Sequence, residues 1–107
     1  MCRYRSSTEF GVWRLSGNAV VTTTTLPTAG AWHHVAYVLN GSNKYLYIDG
    51  SQAATSTANV DTMAQSRINV GRSAAGTDYW PGKVDEVRIY NRALSSTEIA
   101  ALAQAKQ

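Results

Sequence analysis

The chain has 107 residues, of which 44% are hydrophobic and 16% are charged, and its formal net charge is +3. This length suits one domain with a single modest core. No apolar run approaches the ~20 residues of a membrane span, the N-terminus lacks the pattern of a signal peptide, and one cysteine excludes an intrachain disulfide or a zinc site built from several cysteines.

The basic character of the chain, with a pI near 9.2, raises the question of nucleic-acid binding. The ten basic residues are scattered among seven acidic ones and form no dense run. This distribution is typical of a solvated surface and disfavours a nucleic-acid partner.

The first part of the chain predicts a β-hairpin. Cys2 lies at a terminus that we expect to be frayed. Residues 9–15 and 19–25 are rich in apolar and β-branched residues, which favour strands. The turn-forming sequence Ser16-Gly17-Asn18 separates them.

Residues 32–39 predict a central strand. Apolar residues occur at both parities, as expected for a strand that is covered on both faces. Trp32 and Val38 then face one side, and Val35 and Tyr37 face the other. The dipeptide Asn40-Gly41 predicts a turn after this strand.

The next segment predicts a second hairpin. Residues 44–49 alternate, so that Leu46 and Ile48 point to the core while Tyr45 and Tyr47 point away from it. Asp49-Gly50 is typical of a type I′ turn, and residues 51–57 should pair back.

Two more strands are predicted in the second half of the chain. Residues 67–72 form a short one, and residues 82–90 form a closing strand in which Asp85, Val87 and Ile89 point inward. Glu86 and Arg88 share the other face and predict a partly solvated ion pair.

The pattern then changes to that of a helix. Ser95 followed by Glu98 predicts a capping box, and Leu94 and Ile99 are placed for a hydrophobic staple. We expect a short helix that runs to about Ala105 and lies on the edge of the β-structure. The fold class predicted from these elements is all-β, an antiparallel sandwich with a short C-terminal helix.

Four blocks of the sequence resemble laminin G-like domains of the concanavalin A-like lectin and glucanase superfamily. They are Trp32-His33-His34-Val35-Ala36, Leu46-Tyr47-Ile48-Asp49-Gly50, Ile68-Asn69-Val70-Gly71 and the stretch from Val84 to Ser95. The resemblance covers residues 32–100 and implies a jelly-roll of two antiparallel sheets. It also implies an extracellular module that binds carbohydrate or protein.

Domains similar to this one carry further strands before the point where this chain begins. The resemblance therefore implies that residues 1–107 are a single domain that lacks its N-terminal strands. Uncovered strand edges invite pairing with another chain. We expect a symmetric homodimer or a complemented assembly.

Few residues of the sequence are candidates for a catalytic role. Asp85 and Glu86 are neighbours on a predicted strand and point to opposite faces, so they cannot flank one glycosidic bond. His33 and His34 diverge for the same reason, and no third ligand stands at metal spacing. We expect one of these histidines to be exposed and the other packed, and we do not expect an enzyme.

The remaining candidates for a binding site are aromatic. Tyr45, Tyr47 and Tyr37 are predicted to lie on the outer face of a sheet, where rings stack on sugars, and Arg88 and Tyr79 add hydrogen-bonding groups. The alternative is cross-strand packing that only stabilises the sheet. Trp13, Trp32 and Trp80 are predicted to lie in the core.

Calcium is a further alternative, because related domains hold it through loop oxygens. The candidate ligands are spread along the chain, so no site and no cofactor is assigned; they are Asp49, Asn59, Asp61, Asn69 and Asp78. Two functions stay open: a non-catalytic carbohydrate-binding module that uses a sheet face or end loops, and a protein-interaction or self-assembly module that acts through exposed sheet edges.

Overall fold

The computed structural model describes residues 2–6, 9–13, 19–57 and 82–105, with side chains at 10–12, 20–57 and 82–105. Six strands and one helix lie within these residues. They are β1 (Cys2–Ser6), β2 (Glu9–Trp13), β3 (Ala19–Thr23), β4 (Val35–Asn40), β5 (Asn43–Ile48), β6 (Ser51–Ser56) and α1 (Ser96–Ala105).

The first sheet has the order β1-β2-β3 and is antiparallel throughout. Its β2–β3 pair confirms the predicted hairpin. The expectation of a frayed N-terminus is wrong, because β1 pairs with β2 from Cys2 opposite Val12. Backbone pairing along β2 holds this end of the chain in the sheet.

The second sheet has the order β4-β5-β6 and is also antiparallel. Turns at 41–42 and 49–50 join its strands. Asp49 and Gly50 have φ values of 53° and 84°, the two positive angles that a type I′ turn requires. The predicted β5–β6 hairpin is confirmed, whereas the turn predicted at Asn40-Gly41 lies one residue later, at Gly41-Ser42, because Asn40 still pairs with Asn43.

The two sheets pack face to face and form the core of a sandwich. Phe10, Val12, Val20 and Val21 from the first sheet pack with Leu46 from the second, and Leu46 is 0% exposed. Ile48 and Ala54 pack against this cluster. The inward orientation of Leu46 and Ile48 is confirmed, since residues of one parity on a strand share a face.

The terminal helix begins with the predicted capping box. The Glu98 amide donates to Ser95 Oγ at 3.2 Å, and the Ser95 amide donates to Glu98 Oε1 at 3.0 Å. Arg92 adds a bidentate ion pair to Glu98, at 2.9 and 2.6 Å. Hydrogen bonds from Arg92 and from the Ser95 amide lower the pKa of Glu98 to about 2.

The position of α1 differs from the prediction. Ile99 is fully buried against Val38 and Tyr47, and Leu94 packs against the same cluster. The helix therefore covers the outer face of the second sheet instead of lying at its edge. Burying the apolar stripe of the helix against apolar sheet residues stabilises this arrangement.

The predicted closing strand is wrong for the described residues 82–90, which belong to no strand. The Asp85 carboxylate accepts a hydrogen bond from the Glu86 amide at 2.8 Å, and Glu86 has a φ of 50°. This local bond and the left-handed residue interrupt the extended backbone. Val84, Val87 and Ile89 are exposed, and so is the carboxylate of Asp85.

The prediction that β4 is covered on both faces is also wrong. Among the described strands, β4 pairs with β5 alone, while β3 packs on β5 and β6. Val35, Tyr37 and Leu39 project from the inner face of this edge strand beyond the first sheet, and they are 37–47% exposed.

The prediction that Trp32 lies in the core is wrong, because Trp32 is 64% exposed. The strand ladder stops before this residue. The His34 amide donates to the side chain of Asp49 at 3.0 Å instead of to a strand carbonyl, and β4 begins at Val35.

The β5–β6 turn is packed tightly beneath the helix. A Cβ atom at Gly50 would lie 3.2 Å from Ala100 Cα and 3.2 Å from Ala103 Cβ. Glycine is therefore required at position 50 for two reasons, which are its positive φ and the close approach of α1. Gly30 has almost the same φ of +83° with nothing near its Cβ position.

Alanine substitutions at Gly30 and Gly50 separate the cost of backbone strain from the cost of steric crowding. We expect Gly30→Ala to lower the free energy of unfolding by about 1–2 kcal/mol, the cost of a left-handed L-residue. Gly50→Ala should lower the free energy of unfolding by about 1–3 kcal/mol more than Gly30→Ala does, because the methyl group must displace the helix. Chemical denaturation measures both variants, and equal losses would contradict the close packing of α1 on this turn.

Candidate functional site

An open cleft of about 430 Å³ lies at one end of the sandwich, beside the Asp49–Gly50 turn. Its walls come from the loop that follows β3 and from the end of the β5–β6 hairpin. The lining residues are Thr25, Leu26, Pro27, Thr28, His33, Ile48, Asp49, Ser51, Gln52 and Ala53. The cleft thus combines hydroxyl, amide, imidazole and carboxylate groups with a few apolar side chains.

The two walls are joined by the side chain of Asp49. Its Oδ2 lies 2.7 Å from His33 Nδ1, and its Oδ1 accepts the His34 amide at 3.0 Å. The Asp49 amide in turn donates to the His34 carbonyl at 2.7 Å. These bonds fix residues 33–34 of the loop against the β5–β6 turn.

The other ring nitrogen of His33 is bonded within the loop. Nε2 lies 2.9 Å from the carbonyl oxygen of Thr28 and 3.1 Å from Thr28 Oγ1. We call the group formed by Thr28, His33 and Asp49 the histidine clamp. A carbonyl oxygen and a carboxylate are both acceptors, so these two contacts favour the imidazole form in which both ring nitrogens of His33 carry a proton.

The pKa values of the clamp follow from these contacts. The hydrogen bond to Asp49 raises the pKa of His33 above its ordinary value of 6.5, against an opposing effect of burial. Burial favours a higher pKa for Asp49, but the hydrogen bonds from His33 and the His34 amide outweigh it and bring that pKa below 3.8. When His33 is protonated the clamp is an ion pair, with side chains that are 19% exposed at His33 and 49% exposed at Asp49.

The order of groups in the clamp resembles the carboxylate, histidine and hydroxyl series of hydrolases. Catalysis of that kind needs an unprotonated Nε2 that can take the hydroxyl proton. In this structure Nε2 lies 2.9 Å from the Thr28 carbonyl oxygen, and an Nε2 that donates to that carbonyl has no lone pair to take the hydroxyl proton. In that protonation state the clamp orders the cleft and does not act as a general base.

The predicted tyrosine face forms in part, with Tyr45 and Tyr47 but without Tyr37. Tyr37 lies opposite Leu46 in the strand register and so shares the core face, where partial burial raises its pKa. Tyr45 and Tyr47 lie on the other face, with ring centroids 6.5 Å apart. Tyr47 is only 6% exposed, because the helix residue Ile99 packs against it.

The other predicted binding residues are Arg88 and Tyr79. Arg88 lies in the exposed segment 82–90, where its guanidinium is 3.6 Å from the Glu86 carboxylate. This contact confirms the predicted partly solvated pair. Tyr79 lies outside the described residues, as do Trp80, the strand predicted over 67–72 and the side chain of Trp13. A sugar-binding role for Tyr37, Tyr45, Tyr47, Tyr79 and Arg88 stays a prediction.

No group of three or more His, Cys, Asp or Glu side chains is placed to hold a metal ion within the described part of the chain. Asp49 is engaged by His33 and the His34 amide, and the other candidate calcium ligands, Asn59, Asp61, Asn69 and Asp78, lie outside the described residues. No helix in the described ranges is long and apolar enough to cross a bilayer.

Sequence reasoning missed the cleft, although it singled out two of its residues. From the sequence, His33 is weighed as a metal ligand and as a packed or exposed strand residue, and Asp49 as a turn residue and a calcium ligand. Trp32-His33-His34 and Asp49-Gly50, taken together, are the signal that could have predicted the contact between His33 and Asp49. An Asp at a tight turn has a carboxylate available for a neighbouring loop.

Comparison with known proteins identifies relatives of this chain. Residues 1–100 match the family model of the concanavalin A-like lectin/glucanases superfamily, of the laminin G type. The match includes the first 31 residues, in which we had recognised no resemblance. No curated protein matches.

A solved structure is also similar. It is that of an S-layer domain-containing protein (residues 221–444) from Clostridium thermocellum, with 28% sequence identity and a TM-score of 0.66. The match covers 89% of this chain and 50% of that one, so the chain spans half the length of this relative.

The histidine clamp predicts a specific dependence of stability on pH. The folded pKa of His33 is raised, so its contribution is complete below about 6.5 and is lost as the pH rises through the folded value. The folded pKa of Asp49 is lowered, so its contribution is present above about 3.9 and is lost as the pH falls through the folded value.

We therefore expect the unfolding temperature to fall as the pH is raised from about 6 to about 9. Thermal unfolding followed by circular dichroism, with His33→Gln as the control, measures this effect. The variant should lose the alkaline decline. An identical decline in both proteins would show that another group is responsible.

Proposed function

Because the chain belongs to the concanavalin A-like lectin/glucanases superfamily, we propose that it is a non-catalytic carbohydrate-binding module and that the cleft beside the Asp49–Gly50 turn is its binding site. The observation that carries this proposal is the cleft itself, which is lined by polar side chains from two segments together with a few apolar ones. Sites for small ligands typically combine such a concave shape with a few placed polar groups.

The chemistry of the lining supports a sugar ligand. Sugar hydroxyls both donate and accept hydrogen bonds, and the cleft offers Thr25, Ser51 and Gln52, which can do both, next to the acceptor Asp49. Leu26, Pro27 and Ile48 offer apolar contacts for the carbon-bound hydrogens of the ring. The clamp fixes one of these groups, the Asp49 carboxylate, before binding, which lowers the entropy cost of ordering it.

The cleft accounts for carbohydrate binding better than the predicted sheet face does. The helix covers Tyr47, and the strand register separates Tyr37 from Tyr45. Of the two surfaces considered from the sequence, the end loops are therefore the better supported. The family and the S-layer neighbour support an extracellular or cell-surface location as part of the same proposal.

A glycan array with labelled protein tests the proposal, with Gln52→Ala as the cleft variant. Gln104→Ala is the matched control, because Gln104 is an exposed glutamine on α1. Losing one hydrogen bond should weaken binding by about threefold to tenfold in Gln52→Ala and leave the control unchanged.

Two results would overturn the assignment. Glycan binding that is lost in Tyr45→Ala but unchanged in Gln52→Ala would place the site on the sheet face. The absence of any glycan signal would contradict carbohydrate binding itself.

A second function, self-association through a sheet edge, is favoured by a separate observation. Val35, Tyr37 and Leu39 are exposed along β4, which has no second partner strand among the described residues. An apolar strand with an open edge is a template for pairing with another chain. A C2 homodimer would bury this edge against its copy.

Sedimentation velocity at micromolar concentration tests the dimer. We expect a dimeric mass for the unmodified chain and a monomeric mass for Leu39→Lys, which places a charge in the apolar edge. Val87→Lys is the control, since Val87 is equally apolar and exposed but lies outside any strand. A monomeric mass for the unmodified chain would contradict self-association.

A further inference from the structure

We propose that the ligand of the cleft is a neutral sugar with two adjacent free hydroxyl groups, and that both hydroxyls donate to the carboxylate of Asp49. This inference rests on the proposed function and names the class of sugar. The net charge of +3 would lead to a different expectation, namely that the ligand is an acidic glycan.

The hydrogen-bond acceptor capacity of Asp49 supports its role as the acceptor for both sugar hydroxyls. An ionised carboxylate has about four acceptor positions on its two oxygens. The His33 ring takes one on Oδ2 and the His34 amide takes one on Oδ1. Each oxygen thus keeps further capacity on a side chain that is 49% exposed and lines the cleft.

The geometry of a carboxylate suits adjacent hydroxyls. Its two oxygens lie side by side in one plane, so they present paired acceptors to two donors on neighbouring ring carbons. Hydrogen bonds to a charged acceptor are about twice as strong as those between neutral groups. A single Asp49 side chain can therefore anchor one edge of a sugar ring.

The described lining of the cleft offers no cation that could serve an acidic sugar. No lysine or arginine is among the described residues that line it. The charge of His33 is already paired with Asp49, and its second ring N–H donates to the Thr28 carbonyl. A uronate or sulfate in the cleft would face the Asp49 carboxylate without a partner, which is unfavourable.

The Asp49 carboxylate is also fixed before any ligand arrives. Asp49 sits in a two-residue turn at a φ of 53°, and donors from the loop hold both of its oxygens. A ligand then meets a preorganised pair of acceptors, so little ordering remains to offset the gain from binding.

The test is an NMR titration of the whole chain with defined probes. The neutral probes are the methyl glycosides of glucose, galactose and mannose. Their uronic acids and their di-O-methyl derivatives, in which one adjacent hydroxyl pair is blocked, are the comparisons. We expect the backbone amide signals of His33, Asp49 and Gln52 to shift with at least one neutral glycoside and to stay unchanged with its uronic acid and its blocked derivative.

Asp49→Asn removes the charge but keeps an acceptor for the His34 amide and a residue type that tolerates positive φ. We expect it to weaken binding of the neutral glycoside by about tenfold or more. Glu86→Gln is the matched control, since it removes one exposed carboxylate at a similar φ of 50° outside the cleft, and it should bind as the unmodified chain does.

The outcomes separate this inference from the proposed function. Uronic acids that bind as well as or better than neutral glycosides, or Asp49→Asn that binds equally well, would overturn the inference and leave carbohydrate binding in place. If no probe of either class shifts any signal and a glycan array is also silent, the proposed function fails as well. Should Asp49→Asn not fold, the neutral and acidic probes still decide the question on the unmodified chain.

Discussion

The Asp49–Gly50 turn is the constraint on which the rest of the described structure depends. Both residues have positive φ, which sets the two-residue connection between β5 and β6 and so the register of that hairpin. The Asp49 side chain holds the loop at His33 and His34, and the missing side chain of Gly50 lets α1 approach the turn. One turn thus positions the hairpin, the cleft and the helix.

The helix decides which surface of the sandwich is left for binding. Ile99 and Leu94 cover the sheet face around Val38 and Tyr47 with apolar contacts, and Tyr47 is left only 6% exposed. The open end of the sandwich, where the loop after β3 meets the β5–β6 turn, keeps its polar groups accessible. The location of the candidate site is therefore a consequence of how the C-terminal segment folds back.

Local signals in the sequence predicted the structure well, and long-range relations did not. The type I′ turn at Asp49-Gly50 and the capping box of Ser95 and Glu98 depend on residues within one turn, and both are confirmed. The exposure of Trp32 and of β4 depends on which strands pack together, which periodicity does not reveal. The alternation of residues 82–90 fits a strand, but the local bond from Asp85 and the positive φ of Glu86 prevail. The clamp joins residues 16 positions apart, so only the fold brings its members together.

The protonation of His33 links the geometry to the choice between binding and catalysis. If both ring nitrogens donate, the residue is a structural cation that fixes Asp49 as an acceptor for a ligand. Long-range nitrogen–proton NMR spectra of the imidazole rings, recorded as the pH is raised from about 5, measure this directly. Our account predicts a doubly protonated His33 ring that becomes neutral only above the ordinary value of 6.5. A neutral ring with an unprotonated Nε2 facing Thr28 would contradict it, because that nitrogen would then be free to act as a base.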